Sequence, residues 1–167
     1  MSDSFVNDSI EASASKSRIL GVLEKVCDPE IPTLSILDLG ILRDVVCHPK
    51  HLEVVITPAY CGCPAMKTIE FDVIRALDDA GYKEVKVTMQ LAPPWTTDWI
   101  SKRGRAMLLK EGIAPPVESK DSFGQGIKCP RCASHDVSLI SVFGSTACKS
   151  LYRCGSCLEP FDYFKCH

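Results

Sequence analysis

The feature that most constrains this chain is a pair of cysteine knuckles near its end: Cys129-Pro130-Arg131-Cys132 and Cys154-Gly155-Ser156-Cys157, with 21 residues between them. That spacing matches four-cysteine metal sites, in which each CxxC turn aims two thiolates at one ion. Residues 128–167 are too few to bury the apolar surface a free-standing fold needs, and a structural metal makes up the deficit. The intervening VSLISVF and KSLYRC runs read as strands joining the knuckles. Zinc in a structural role is the expected occupant of Cys129, Cys132, Cys154 and Cys157, with iron as its rival, since tetrahedral sulfur ligation suits both. Four protein ligands close the coordination shell, so no chemistry is expected at that ion. Cys148 and Cys166 lie in the same module without CxxC partners and read either as small core thiols or as spare cluster ligands. His135 and His167 read as surface residues.

Ten cysteines occur in the 167 residues. The first residues, MSDSFVNDSIEASASKS, lack the basic and apolar regions of a secretory signal, and no apolar run approaches the roughly 20 residues of a membrane span. A reducing compartment, the cytoplasm, follows as the expectation, and with it metal ligation or thiol chemistry rather than disulfides. Residues 1–127 hold 14 Lys/Arg against 18 Asp/Glu, a charge of −4, and residues 128–167 hold 5 against 3, a charge of +2. Neither part carries the dense positive field that nucleic-acid binding requires.

The chain divides into a tail over 1–14, an α+β domain over 15–113, a linker over 114–127 and the ribbon over 128–167. From Ser15 onward, Ile19, Val22, Leu23 and Val26 recur at helical spacing, and the helix ends before Asp28-Pro29. DPEIPTLSILDLG reads as loop. ILRDVVC and LEVVIT form a hairpin, Pro64 to Ala80 a helix with Met66, Ile69, Val73, Leu77 and Ala80 on one face, and KEVKVTMQL a strand with Val85, Val87, Met89 and Leu91 on one side. The order α-β-β-α-β predicts helices packed on one face of a small sheet. A short helix from Lys102 to Glu111 follows, and its Lys102, Arg103, Arg105 and Lys110 read as a solvated basic face. Trp95 and Trp99 read as core or interface anchors, and Asp28, Glu30 and Asp38 as acidic loop residues engaged in capping and solvation.

The turn Thr57 to Pro64 carries Cys61-Gly62-Cys63-Pro64. Proline suits the first helical position, so Cys63 falls at the N-cap, where unpaired N–H groups and the helix dipole lower a thiol pKa. Cys63 is thus a candidate nucleophile or metal-accepting thiol, and Cys61, across one glycine, could share a soft metal with it; the competing reading is a small capping residue. No phosphate loop, HExxH or GxGxxG pattern accompanies them.

Asp28-Pro29-Glu30-Ile31-Pro32, Asp38-Leu39-Gly40, Thr57 through Gly62-Cys63-Pro64, and Pro93-Pro94-Trp95 together resemble the MIP18-type domain, the domain of unknown function 59 found in iron-sulfur assembly factors. The C-terminal FGSTACKSLYRCGSCLEPFDYFKC, coupled to that domain, resembles the D-subunit family of the bacterial phenylacetate-degradation system; together the likeness spans about residues 16–167. It implies an accessory role beside phenylacetyl-CoA epoxidase, whose catalytic subunit holds a di-iron site and whose reductase holds flavin and a [2Fe-2S] cluster. The partners implied are epoxidase subunits and iron-sulfur assembly proteins. The work implied is cluster assembly or insertion rather than catalysis, with iron or a cluster held transiently. By position, Cys63 matches the family's functional cysteine, whereas Cys61 departs from its usual pattern. A stable structural or electron-transfer subunit of the same oxygenase is the alternative.

Overall fold

A computed structural model describes residues 15–60, 62–117 and 126–165. The tail over 1–14, Cys61, residues 118–125 of the linker, Cys166 and His167 lie outside the described residues. Helix α1 covers 15–23 and buries Ile19 and Leu23, with Val26 buried just beyond its end. The segment expected as loop instead holds a hairpin, β1 (Cys27–Asp28) against β2 (Ile31–Ser35). Asp28 makes it: its Oδ1 accepts the N–H groups of Glu30 at 2.8 Å and Ile31 at 3.0 Å, closing a turn around Pro29.

Strands β3 (Leu42–Cys47) and β4 (Leu52–Ile56) pair antiparallel, as their β-branched runs predict. In β4, Leu52, Val54 and Ile56 alternate into the core. Helix α2 (Ala65–Asp79) buries Ala65, Met66, Ile69, Val73 and Leu77, then returns the chain to β5 (Val85–Met89), parallel to β4, giving the order β3-β4-β5. Ala80 at the end of this stripe is exposed. So are Met89 and Leu91, expected on the inner side of the third strand, at 41% and 66% exposure. Alternation sets which side chains share a face, not whether a second layer covers it.

A 3-10 turn (Thr97–Trp99) leads to α3 (Lys102–Lys110), capped by Ser101, whose Oγ accepts the Gly104 N–H at 2.8 Å. The C-terminal sheet has the order β6-β9-β8-β7, built from β6 (Ile113–Ala114), β7 (Val137–Ser141), β8 (Lys149–Cys154) and β9 (Pro160–Phe164). Strands β7 and β8 were expected; β6 and β9 were not. The parallel pairing of β6 with β9, Ile113 with Asp162 and Ala114 with Tyr163, joins the end of the first unit to the ribbon.

Residues of β9 serve two cores. Phe161 and Tyr163 point with Cys129 and Cys154 into a small ribbon core, whereas Phe164 enters the main core of the first unit. There it meets Trp95 at 6.2 Å between ring centroids, and Cys148 is buried in the same main core. The two units therefore share apolar burial and should unfold together. Phe164→Ala should cost about 3–5 kcal/mol and lower a single denaturation midpoint seen alike by tryptophan fluorescence and circular dichroism; two separate transitions in the parent chain would contradict the shared core.

Candidate functional site

Three side-chain constellations stand out, and they differ in what they leave unfinished. The first is the ribbon cluster. The sulfur atoms of Cys129, Cys132, Cys154 and Cys157 all lie within 4.8 Å of one another, with Cys129 to Cys157 at 3.7 Å and Cys132 to Cys154 at 3.5 Å. A tetrahedron with metal-sulfur arms of about 2.3 Å has edges of about 3.8 Å, so the four thiols fit one tetrahedral ion. The Cys157 N–H reaches Cys154 Sγ at 3.4 Å, and such backbone bonds, with one from Ser156, draw the Cys154 thiol down to about 6. A thiol already disposed to lose its proton suits ligation. His135 is exposed, as expected of a surface residue.

The second is a closed lock around Asp38. This buried carboxylate accepts Ser35 Oγ at 3.0 Å, Ser101 Oγ at 2.5 Å, and Arg103 Nε at 2.9 Å and Nη2 at 2.7 Å. Arg103 also holds Glu24, while Arg105 donates to the carbonyls of Pro116 and Thr97. Lys102, Arg103 and Lys110 are exposed, as expected for a solvated face, and Arg105 is half-buried; both arginines also act as tethers. Trp95 donates to the Leu39 carbonyl at 2.9 Å, and Arg43 stacks over Trp99 at 3.5 Å. At Gly40 the backbone is left-handed (φ +73°) and a Cβ would fall 2.7 Å from the Trp99 Cβ, so glycine is required. The Asp-Leu-Gly and Pro-Pro-Trp motifs thus hold one joint together.

The third is unfinished. Helix α2 begins one residue later than expected, with Pro64 in helical dihedrals at the N-cap position assigned to Cys63, which stands just before it. The Ala65 N–H reaches the Cys63 sulfur, as an N-cap argument requires, yet the net shift is opposite to the expected lowering. Burial pushes the thiol up first, and the nearby Glu30 and Asp28 carboxylates add to it, outweighing the bonds from Ala65 and Tyr60. Burial likewise lifts Tyr60 to about 12 and Cys148 to about 11. Cys63, Tyr60, Asp28, Glu30 and, from the ribbon, Cys148 all line one small cavity with apolar walls. Asp28 and Glu30, expected as loop acids engaged in capping and solvation, belong to this cavity; Asp28 does cap its turn, but it is buried rather than solvated. Cys148 is the member that sequence reasoning did not bring here. No local spacing signals its meeting with a cysteine 85 positions earlier. Cys61, paired with Cys63 by sequence, lies outside the described residues.

Beside this site, Thr57 Oγ1 is the one buried side-chain atom among the described residues without a hydrogen-bond partner. A further exposed cluster, His48, His51 and Glu53, closes the β3–β4 turn, with His48 bonded to Glu53 at 2.9 Å and its ring stacked on His51. No helix among the described residues is long and apolar enough to cross a membrane.

Two family models match: iron-sulfur cluster assembly protein over residues 16–93 and PaaD zinc beta ribbon domain over residues 114–165. A protein of Escherichia coli (strain K12), provisionally named as one of the subunits of 1,2-phenylacetyl-CoA epoxidase, is 46% identical over 150 residues, covering 89% of this chain and 91% of that protein. The Fe-S protein maturation auxiliary factor YitW of Bacillus subtilis (strain 168) is 35% identical over 97 residues, 57% of this chain and 94% of its own. Among solved structures, a domain of unknown function DUF59 from Bacillus anthracis superposes with a TM-score of 0.53 at 27% identity, covering 57% of this chain and 92% of that one.

The two buried aspartates should respond to pH in opposite directions. For Asp38, burial is overcome by Arg103, Ser101 and Ser35, and the folded pKa lies below 3.8; its stabilisation is complete above 3.8 and disappears as pH falls through the lower folded value. For Asp28, burial dominates and the folded pKa lies above 3.8, so ionisation costs stability as pH rises from 3.8 through the raised value. Urea titrations across acid pH should show Asp38→Ala losing about 2 kcal/mol at neutral pH, a loss that shrinks in acid. Asp28→Asn, which keeps the turn acceptor, should match or exceed the parent at neutral pH.

Proposed function

Because this chain belongs to the PaaD family, in which an iron-sulfur assembly domain precedes a zinc β-ribbon, we propose that it is an accessory factor of phenylacetyl-CoA epoxidase that assists assembly or insertion of the iron-sulfur cluster of that complex. The observation that carries this reading is the single cavity shared by Cys63, Asp28 and Glu30 at the head of α2. A thiol between two carboxylates and a helix N-terminus can ligate a transition-metal ion, or attack or receive a cluster through sulfur. Among the described residues lining the cavity there is no histidine, the usual base beside a hydrolytic cysteine. The role is therefore delivery, with iron or a cluster as cargo, and turnover of the epoxidation stays with the partner subunits.

In this role the raised thiol pKa has a use. A neutral Cys63 is protected from random oxidation and ligation, because the thiolate is the reactive form. A cation entering the cavity supplies the opposite charge that releases the proton. The ribbon metal, zinc in this proposal, is structural: four thiolates close its coordination, and the residues around it form the small core that includes Phe161 and Tyr163. The ribbon carries little net charge, so its contacts to epoxidase or assembly proteins rest on shape and apolar area.

A second reading, a stable structural or electron-transfer component of the oxygenase, is favoured by one observation. Strand β7 is a sheet edge, and Leu139, Ile140, Val142 and Phe143 on and beside it are 50–64% exposed. Retention at equal stoichiometry with the catalytic subunits through gel filtration would favour that reading; substoichiometric action favours delivery.

Two outcomes are expected. Cys63→Ala should fold with unchanged zinc content, yet leave the epoxidase reductase deficient in its cluster when the two are produced together; full cluster content and epoxidase activity would remove Cys63 from the role. Cys154→Ser should lose one equivalent of zinc per chain by metal analysis and, through the shared Phe164 core, lower the melting temperature of the entire chain rather than of the ribbon alone.

A further inference from the structure

The turn between β3 and β4 carries two imidazoles and a carboxylate that neither the ribbon nor the cavity uses. The His48 N–H donates to the His51 carbonyl at 2.9 Å across Pro49-Lys50, and the strands then pair Cys47 with Leu52 and Val46 with Glu53. This register sets His48 opposite His51 and puts Glu53 two residues further along, with the buried Leu52 between them, so the three side chains gather on one side of the hairpin. Their ligand atoms all lie within 4.8 Å of one another. We infer that His48, His51 and Glu53 form a surface site for one divalent transition-metal ion of the nickel or zinc class, separate from the ribbon cluster and from the cavity at Cys63.

The geometry suits coordination. An ion with arms of about 2.1 Å to nitrogen and oxygen holds neighbouring ligand atoms of a six-coordinate shell about 3.0 Å apart, close to the 2.9 Å between His48 Nε2 and Glu53 Oε2. The carboxylate is already oriented: Thr88 Oγ1 donates to Oε1 at 2.5 Å and Lys86 approaches that same oxygen at 4.0 Å, which leaves Oε2 to face His48. A carboxylate held by an outer hydrogen bond is the usual arrangement at metal sites. The two imidazole rings stack with centroids 4.4 Å apart and 18° between their planes, so each can offer a nitrogen at their common edge. With side-chain exposures of 37% for His48 and 20% for Glu53, the ligands are held by neighbours yet open to solvent. Two imidazoles and one carboxylate favour nickel, zinc, cobalt or ferrous iron over magnesium and calcium, which take oxygen ligands. Both histidines also line an open groove of ≈ 260 Å³, with room for the waters that complete the shell. Binding balances without a co-reactant: the ion sheds water, and neutral His48 carries its ring proton on Nδ1 instead of Nε2, freeing Nε2 to ligate.

The test uses the full-length untagged chain, anaerobic and zinc-loaded at the ribbon, dialysed against nickel(II) while retained zinc is measured in the same samples. The parent should hold one nickel beyond the ribbon zinc, surrounded by nitrogen and oxygen without sulfur in X-ray absorption, and a large excess of magnesium should not displace it. His48→Ala, His51→Ala and Glu53→Gln should each weaken binding by about tenfold or more, since loss of a mere supporting partner already has that effect at metal sites. Cys47→Ala, which removes a thiol lining the same groove, and Cys63→Ala should bind as tightly as the parent. Retained zinc and an unchanged circular-dichroism spectrum establish that each variant is folded, and His48→Gln and His51→Gln provide second substitutions. The site is overturned if no nickel binds beyond the ribbon zinc, if nickel uptake only matches zinc loss, if sulfur appears in the nickel shell, or if any of the three ligand substitutions leaves binding as tight as in the parent. The delivery role is untouched by these outcomes, because it is read from the cluster content of the reductase produced with Cys63→Ala.

Discussion

Strand β8 is the mechanical link on which the arrangement depends. Cys154 of the metal knuckle closes one end of it, and Cys148 of the cavity directly precedes the other, six residue steps or about 20 Å away. It is held between two neighbours, β7 through pairs such as Val137 with Cys154 and β9 through pairs such as Lys149 with Phe164. A metal ion that fixes Cys154 therefore also fixes the register that delivers Phe164 and Cys148 to the first unit. Without it, a ribbon this small has little apolar area to hold β8 in place. Four thiolates around one ion close its coordination, and backbone pairing along β8 connects that knuckle to the cavity.

The same division of labour runs through the first unit's motifs. Around Asp38, Gly40, Trp95 and Arg103 the groups are closely engaged: Arg103 and two serines bond the Asp38 carboxylate, Trp95 bonds the Leu39 carbonyl, and Gly40 leaves no room for a Cβ against Trp99. Asp28, Glu30 and Cys63 do the reverse, gathering around a void where burial and the two carboxylates raise the cost of ionising Cys63. Buried carboxylates are costly when unpaired and cheap when bonded to a guanidinium. Two aspartates ten residues apart, both almost inaccessible, thus sit at opposite ends of that scale. The satisfied group ties its joint together, and the frustrated one is where an entering cation would relieve the repulsion.

How much of this was legible in the sequence follows from how far apart the interacting residues lie. The ribbon ligands were readable because CxxC turns are local and their pairing needs only one partner turn. The β3–β4 hairpin and the buried stripe of α2 were readable because period and turn chemistry are local too. Strand β9 was missed because its partners are β8 and the distant Ile113–Ala114, and the β1–β2 hairpin because its turn is closed by an aspartate side chain inside a proline-rich run. The expected lowering of the Cys63 pKa failed for the same reason. The bond from the Ala65 N–H to the Cys63 sulfur is local, and it is present; it is overruled by burial and by two carboxylates from a turn more than thirty residues earlier. Arg103 looked like solvated charge because nothing near it in the chain reveals Asp38 across the joint.

A cavity made at the seam of two units has a consequence that neither unit has alone. A relative as short as the maturation factor, whose 97 matched residues cover 94% of its own chain and 57% of this one, cannot hold both units, so no ribbon sulfur can reach such a cavity there. In the present chain that sulfur arrives on a strand whose position is set by the ribbon metal. An ion that holds Cys154 would therefore also restrain the strand that carries Cys148 to the cavity.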